Sequence, residues 1–283
     1  MTKDKELQLK LFAAKCRRWI IEGVYCAQSG HPGGSLSCTD ILTYLYNEAL
    51  EVTPENADDP ARNRFVLSKG HCAPALYSVL GLRGFFDIGE MRKLRHIDSF
   101  LQGHPCMSEV KGVDMSTGSL GQGISAATGM AINSKYLDKT GYKVYTVLGD
   151  GEMQEGEVWE ALMSGAHYRL DNFCAILDNN GLQIDGKVDS VMSLGDIEAK
   201  VRAFGYETRV IDGHSFEEIE SAVTDFKNNA GSGKPFFIIA HTHKGCGVSF
   251  MEDNAGWHGK APNAEEYRIA TDELDSAIRA LEV

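Results

Sequence analysis

Two oxygen-bearing side chains follow two consecutive predicted strands, where they could hold a metal ion. Asp150 lies in a Gly-Asp-Gly triplet directly after the apolar run 143–148, and Asn180 follows the apolar run 173–178. The residues between them predict one helix and one strand, which returns the chain to the neighbouring strand end. In open parallel sheets, ligands bind beyond the carboxyl ends of the strands. A carboxylate and an amide oxygen at that edge suit Mg²⁺, which prefers oxygen ligands and retains phosphate oxygens and water.

The glycines that flank Asp150 extend this prediction to a phosphate ligand. Gly149 and Gly151 allow the backbone to approach a ligand closely. The helix predicted after them offers free N–H groups to a phosphate. No Cys or His residues have the spacing of zinc ligands. The sequence therefore favours a magnesium–diphosphate site over a zinc site.

Four of the nine histidines stand directly beside a glycine in turn-like segments. Rigid turns of this kind present a side chain to a small ligand. Imidazole suits a sugar site because it donates and accepts hydrogen bonds and moves protons near neutral pH. These four are His31, His71, His104 and His258. We interpret the others as structural: His96, His167, His214, His241 and His243.

The elements that must position these residues alternate between strands and helices. Strands are predicted at 64–68, 143–148, 173–178, 206–211 and 236–241. Helices are predicted at 5–28, 37–49, 72–82, 120–137, 155–170, 196–204, 215–229 and 264–283. This order indicates an α/β fold, a doubly wound and mostly parallel sheet with helices on both faces. We expect a single domain over 1–283, with a tail from about 250 to 283 that packs on a partner.

Composition is that of an ordinary globular protein and argues against two classes of partner. The chain has 28 Lys+Arg against 40 Asp+Glu, a formal net charge of −12. Nucleic acid and anionic membranes prefer basic surfaces, and the longest apolar runs are too short to span a bilayer. The charged start lacks the apolar core of a signal peptide, and the seven cysteines form no CxxC pair. We therefore expect free thiols and a cytoplasmic protein with no nucleic-acid or membrane partner.

Seven segments, spread over nearly the whole chain, resemble the N-terminal part of the transketolase family in family order. The Gly-Asp-Gly triplet followed by Asn-Asn-Gly at this distance is similar to the thiamine diphosphate motif. The segments are SGHPGGS (29–35), RFVLSKGH (64–71), QGHP (102–105), STGSLGQG (116–123), GDGEMQEGEVWEA (149–161), NNGLQIDG (179–186) and HTHKGCGVSFMEDNAGWHGK (241–260).

The resemblance implies thiamine diphosphate and Mg²⁺ as cofactors, with Ca²⁺ or Mn²⁺ able to replace Mg²⁺. Asp150 and Asn180 would coordinate the ion through their side chains, and Leu182 through its backbone carbonyl. Lys244 and Lys260 could neutralise diphosphate or substrate charge. The residues that the resemblance implies at the cofactor are His71, Gly118, Leu120, Gly149, Gly151, Asn180, Ile184, Lys244 and His258.

The same resemblance implies transfer of a two-carbon ketol unit from a ketose phosphate to an aldose phosphate. His31 and His258 would assist proton transfer at substrate hydroxyls, and His104 would bind the hydroxyl of the transferred unit. Pentose phosphates are the default substrates, which would place the protein in the pentose phosphate pathway. Ser119 departs from the family, which often has proline there, so the loop is less rigid and donor specificity stays open.

The family also needs a second domain, which carries the pyrimidine pocket and most sugar-phosphate contacts. No segment of the 283 residues matches it. We expect the N-terminal subunit of a split transketolase, in which two copies of this chain pair with two copies of a separate C-terminal, pyrimidine-binding subunit. A piece of a longer protein is the alternative. Two other functions stay open: a subunit of a deoxyxylulose phosphate synthase or keto-acid dehydrogenase, and a regulatory paralogue that binds cofactor without turnover.

Overall fold

Five parallel strands form the centre of the protein, as the sequence predicts. The computed structural model describes residues 1–282, so the predicted boundary at Val283 lies outside the described residues. The strands are β1 (Arg64–Leu67), β2 (Val144–Gly149), β3 (Phe173–Asn179), β4 (Leu182–Gln183), β5 (Gly186–Lys187), β6 (Glu207–Asp212) and β7 (Phe236–His241). The main sheet has the order β1-β2-β3-β7-β6, and every neighbouring pair is parallel. The short strands β4 and β5 form a separate antiparallel pair.

Helices cover both faces of this sheet, which confirms the doubly wound prediction. They are α1 (Lys3–Ala27), α2 (Pro32–Ser37), α3 (Thr39–Tyr44), α4 (Ala73–Leu82), α5 (Gln122–Ile132), α6 (Gly156–His167), α7 (Val188–Met192), α8 (Ile197–Ala203), α9 (Phe216–Asn228) and α10 (Ala264–Leu281). The period-2 alternation of a strand divides the core. Phe173, Ala175 and Leu177 of β3 pack on one face, and Cys174 and Ile176 pack on the other.

The strand register brings the two predicted metal-binding loops together. Gly149 at the end of β2 pairs with Asp178 of β3. Asp150 and Asn180 therefore leave the sheet at the same edge. Asn179 of β3 in turn pairs with His241 of β7, so the segment after β7 begins at that edge too.

Two segments differ from the prediction. The helix expected at 37–49 is α3 followed by a π-helical turn at Leu45–Ala49, and a separate short helix, α2, precedes it and ends before Cys38. Pro32 begins α2 at a position where its missing N–H costs nothing. The stretch between the strand predicted at 173–178 and the helix predicted at 196–204, for which no element is predicted, contains β4, β5 and α7. Strands of two residues are too short to produce a periodic sequence pattern.

The C-terminal helix packs against α1 of the same chain. The rings of Tyr25 and Tyr267 stack with centroids 3.9 Å apart, and Arg18 Nε donates to Asp275 Oδ1 at 3.2 Å. A capping box of Asn263 and Glu266 begins the helix. The apolar face of α10 is thus used within the chain, and contact of the tail with a partner stays a prediction.

All seven cysteines are free thiols. Within residues 1–282, no helix has both the length and the apolar character needed to cross a membrane.

Close packing between α6 and the segment before β6 gives a test of the fold. A Cβ on Gly165 would clash with the hydroxyl oxygen of Tyr206, a residue that is 4% exposed. We expect Gly165→Ala to lower the free energy of unfolding by about 1–3 kcal/mol, because a well-packed core accepts extra volume poorly. Urea unfolding of the purified chain measures it.

Gly129 of α5 provides the matched control, since a Cβ there meets nothing within 4 Å. Gly129→Ala should leave stability unchanged or raise it by about 0.5–1 kcal/mol through helix propensity. Equal losses in the two variants would contradict the packing described here.

Candidate active site

Asp150 is a buried carboxylate that fastens two loops at the carboxyl edge of the sheet. It is 3% exposed. Its Oδ1 accepts a hydrogen bond from the Gly151 backbone N–H at 2.8 Å, and its Oδ2 accepts one from the Gly181 N–H at 2.5 Å. Burial first, and the negative charge of Asp178 second, raise the pKa of Asp150 to about 6. A bound cation would favour the charged form of such a carboxyl group.

Asn180 and Leu182 supply the other two predicted metal ligands. Asn180 Oδ1 accepts from the Leu182 N–H at 3.1 Å, and its Nδ2 donates to Asp178 Oδ2 at 3.2 Å. The Leu182 carbonyl accepts from Lys244 Nζ at 3.2 Å. Each of these oxygens retains a further lone pair. A carboxylate, an amide and a backbone carbonyl form a donor set that fits Mg²⁺ with retained phosphate oxygens and water.

One cavity brings most of the predicted residues together. His104 and Gly118 line the adjoining cleft, and the rings of His31 and His258 lie 5.5 Å apart. The roles of these residues stay predictions, but the fold places all of them in one region. The predicted residues that line the cavity are His71, Leu120, Gly149, Asp150, Gly151, Asn180, Leu182, Ile184, Lys244 and His258.

The four glycine-flanked histidines form one cluster. The ring of His31 lies 5.2 Å from that of His71 and 6.4 Å from that of His104, and His71 lies 5.2 Å from His258. Burial, then the charge of Lys244, lowers the pKa of His258 to about 3. Burial, then His71, lowers the pKa of His31 to about 4. Both imidazoles are therefore neutral at pH 7 and each keeps a lone pair.

The Nδ1 atom of His31 is buried and has no hydrogen-bond partner within residues 1–282. Buried polar atoms are normally paired. This atom therefore marks a place where a bound molecule would complete the hydrogen bonding.

A buried ion pair beneath the cavity escaped the sequence analysis. Lys69 is 2% exposed and Asp178 is 0% exposed, and their ammonium and carboxylate groups are in direct contact. Asp178 also accepts from Ser37 Oγ at 2.6 Å, from Asn180 Nδ2, and from Thr242 Oγ1. Burial by itself would lower the pKa of Lys69, but Asp178 and the neighbouring thiols outweigh this effect, so the pKa of Lys69 is raised. The sequence signal that could have revealed this pair was the Asp178 carboxylate near the end of a buried, apolar strand.

Glu152 is a second buried carboxylate that the sequence analysis missed. It is 2% exposed, and burial raises its pKa. Its Oε1 accepts from Ser68 Oγ at 2.5 Å and from the Gly121 N–H at 3.0 Å, while its Oε2 accepts from the Gly149 N–H at 3.1 Å. Glu152 thus ties the loop after β2 to the end of β1 and to the turn before α5.

The two lysines of the last motif have different surroundings. Lys244 is 2% exposed, and its Nζ lies 3.0 Å from His258 Nδ1. Lys260 is 54% exposed at the side chain, pairs with Glu266, and stands over the Trp257 ring. Lys244 therefore belongs to the cavity, and Lys260 to the surface.

Asp40, His214 and Cys246 form a cluster that also escaped the sequence analysis, with potential ligand atoms within 4.8 Å of one another. Two contacts argue against a metal there. Arg17 Nη1 donates to Asp40 Oδ1 at 3.0 Å. The His243 N–H donates to His214 Nε2 at 2.9 Å, so His214 carries its proton on Nδ1, which faces Asp40 Oδ2 at 2.7 Å. The cluster holds the segment after β7 against α1.

The ion pair of Lys69 and Asp178 leads to a prediction about stability. Lys69→Met leaves a buried carboxylate without its cation, so the free energy of unfolding should fall by about 3–5 kcal/mol. Chemical denaturation measures it. The double variant Lys69→Met/Asp178→Leu should recover part of the loss, because neither charge is then buried.

Lys93 provides the control for this prediction. Its pair with Glu90 is on the surface, with the Lys93 side chain 58% exposed, and such pairs contribute little. A Lys69→Met variant as stable as Lys93→Met would show that the buried pair is not a support of the fold.

Comparison with known proteins agrees with this geometry. The family model described as "Transketolase, thiamine diphosphate binding domain" matches residues 9–276. The chain is 31% identical to the transketolase of Campylobacter jejuni, whose crystal structure superposes with a TM-score of 0.81. The match covers 97% of this chain and 48% of that one.

Two relatives match the chain over nearly their whole length. An apulose-4-phosphate transketolase subunit of Phocaeicola vulgatus is 42% identical over 275 residues, which cover 97% of this chain and 96% of that protein. The 6-deoxy-6-sulfo-D-fructose transketolase subunit SqwG of a Clostridium species is 40% identical over 272 residues, covering 96% and 98%. The chain belongs to the transketolase family, in which it corresponds to the thiamine diphosphate-binding domain and to proteins named as transketolase subunits.

Proposed function

We propose that this chain is the N-terminal subunit of a two-chain transketolase, which transfers a ketol unit from a ketose phosphate to an aldose phosphate. The observation that carries this proposal is a cavity at the carboxyl edge of the sheet that is lined by oxygen ligands and by two imidazoles of the four-histidine cluster. The transketolase subunits of Phocaeicola vulgatus and Clostridium, which match over 96% and 98% of their length, support this assignment.

The cavity has the groups that the cofactor and its metal would need. Asp150, Asn180 and the Leu182 carbonyl would hold Mg²⁺, with Lys244 and His71 beside the diphosphate. Gly149 lines the cavity, and a Cβ there would meet only Lys69 Cδ, at 3.9 Å, so the backbone is open to a ligand. Thiamine diphosphate, when bound, supplies a nucleophilic carbon and an electron sink.

The imidazoles would handle the protons of the sugar hydroxyls. His258 Nδ1 accepts from the Lys244 ammonium, so neutral His258 carries its proton on Nε2 and can donate it. His31 has an unpartnered Nδ1, which suits it to accept or donate at a substrate hydroxyl. His104, in the adjoining cleft, would bind the hydroxyl of the transferred unit.

A partner subunit would complete the cavity. Leu120 is 36% exposed and Ile184 is 64% exposed, although both line it. Exposed apolar residues beside a ligand site are typical of surfaces that another chain covers. We propose that the C-terminal, pyrimidine-binding subunit covers them, with two copies of each chain in a cytoplasmic enzyme.

The donor sugar is the least determined part of the proposal. Pentose phosphates remain the default, but the two subunit relatives are named for other substrates, apulose 4-phosphate and 6-deoxy-6-sulfo-D-fructose. A donor panel should therefore include a pentulose phosphate, a hexulose phosphate and a sulfonated ketose.

Ketol transfer to ribose 5-phosphate, beginning with xylulose 5-phosphate as donor, tests the proposal. The chain is assayed alone and then with the protein encoded beside it, in the presence of thiamine diphosphate and Mg²⁺. We expect activity only in the mixture. Asp150→Ala should abolish it, because the ion loses its only charged ligand from this chain.

Asp58→Ala is the control, since the Asp58 side chain is 85% exposed and lies outside the cavity. Activity of the chain alone would contradict the need for a partner. A complex that transfers no ketol unit from any donor would indicate the regulatory paralogue, and CO₂ release from a 2-keto acid would indicate a keto-acid dehydrogenase.

Metal removal gives an independent prediction. Chelation of the active mixture should abolish transfer, because it would remove the ion that Asp150 and Asn180 would hold for the diphosphate. Mg²⁺, and also Ca²⁺ or Mn²⁺, should restore it, since all three accept oxygen ligands. Full activity after exhaustive chelation would show that the oxygen ligands hold no required metal.

A further inference from the structure

Arg95 is half-buried and lies beside the histidine cluster. The proposed function gives this arginine no role. Its Nη1 donates to Ser29 Oγ at 2.6 Å, and its backbone N–H donates to the Leu101 carbonyl at 2.8 Å. Its backbone φ is 62°, a conformation that non-glycine residues adopt at a cost. Such positions persist where the surroundings fix them, and they cluster at functional sites.

The guanidinium of Arg95 lies against the backbone of Gly103, the residue before His104. A Cβ on Gly103 would stand 2.7 Å from Nη2, 2.8 Å from Nε and 2.9 Å from Cζ of Arg95. Any side chain at position 103 would displace either the guanidinium or the backbone that carries His104. Through Ser29 the same guanidinium reaches the turn that carries His31. One planar group therefore braces both histidine-bearing turns.

Arg95 lacks the carboxylate partner that Arg17 and Arg62 have. Arg17 pairs with Asp40, and Arg62 pairs with Asp114. In the described part of the chain, the side-chain partner of Arg95 is the hydroxyl of Ser29, and no carboxylate neutralises it. Partial burial of a cation without a paired carboxylate costs free energy, so Arg95 is not explained as a support of the fold.

The charge of Arg95 acts on both imidazoles. Burial first, and Arg95 second, lower the pKa of His104, and Arg95 also contributes to the low pKa of His31. The backbone of Gly118 packs against the His104 ring, and the Tyr77 hydroxyl donates to the His104 carbonyl at 2.9 Å. The other titratable groups that face His104 are His31, His71 and the buried thiol of Cys72.

We propose that Arg95 is a positioning residue for the His31–His104 pair. Its guanidinium fixes Gly103 against Ser29 and so sets the spacing at which the two imidazoles meet one ketose. This inference rests on the proposed function, because the substrate is the ketose of that reaction. Misplacement of a substrate-binding group by about 1 Å can reduce catalysis about 100-fold, so a brace of this kind has a measurable effect.

The test uses variants that separate charge from shape. Arg95→Asn removes the cation, and asparagine tolerates a positive φ better than most residues. Arg95→Lys retains the charge but loses the planar fork. Gly103→Ala leaves Arg95 in place and obstructs its contact. Lys93→Gln is the control, because it removes an exposed charge two residues away.

In the two-chain mixture, we expect Arg95→Asn to lower kcat/KM for the donor ketose by about 10–100-fold. Gly103→Ala should reproduce this loss, and Arg95→Lys should recover only part of it.

The half-saturating concentration of thiamine diphosphate should not change, because Arg95 does not line the cofactor cavity. Added guanidinium ion should partly restore Arg95→Asn. Donor kcat/KM within two-fold of Lys93→Gln would overturn the proposal.

A second readout needs neither partner nor turnover. NMR titration of imidazole resonances in the isolated chain should show the pKa of His104 in Arg95→Asn shifted up toward the ordinary 6.5, and held low in Arg95→Lys. An unchanged His104 pKa in Arg95→Asn would overturn the proposal even where activity falls, because the guanidinium would then not act at the His104 turn. Absence of ketol transfer in the wild-type mixture would instead refute the proposed function, while this titration still decides whether Arg95 acts on His104.

Discussion

The contact between Lys69 and Asp178 is the interaction on which the rest of the site depends. Removing two opposite charges from water costs several kcal/mol for each ion, and only close pairing with further hydrogen bonds offsets that cost. Asp178 obtains those bonds from Ser37, Asn180 and Thr242. Because Asp178 lies one residue before the end of the central strand β3, the requirement to satisfy it draws α2, the loop after β1 and the segment after β7 to one edge of the sheet. The orientation of the Asn180 amide follows from the same bond.

Above this pair, the site combines oxygen atoms that suit a cation with imidazoles that are neutral. Burial produces both properties. It raises the pKa of Asp150, whose charge a metal would stabilise, and it lowers the pKa of His31 and His258, which are therefore neutral at pH 7 and can both accept and donate hydrogen bonds. Glu152 links the two glycine-rich loops by accepting hydrogen bonds from the backbone N–H groups of Gly121 and Gly149.

Much of this could be predicted from the sequence, and the exceptions have physical reasons. Asp150 and Asn180 were predictable because parallel strands end at a common edge, so local patterns were sufficient. The contact of Lys69 with Asp178 was not, since it joins residues that only the tertiary fold brings together. The hairpin of β4 and β5 is too short for a periodic pattern. Nothing in the sequence indicates the left-handed backbone of Arg95. The nearest signal is the glycine at position 103, whose lack of a side chain leaves room for the Arg95 guanidinium.

The wide spacing of the groups that meet at Asp178 has a consequence for folding. They come from positions 37, 69, 180 and 242, so most of the chain must be in place before the site exists. Contacts between such distant residues form late, because loop closure must come first. A ligand that binds only the finished site stabilises the folded state as a whole and not one loop. Cofactor retention in such a chain therefore distinguishes completely folded molecules from partly folded ones.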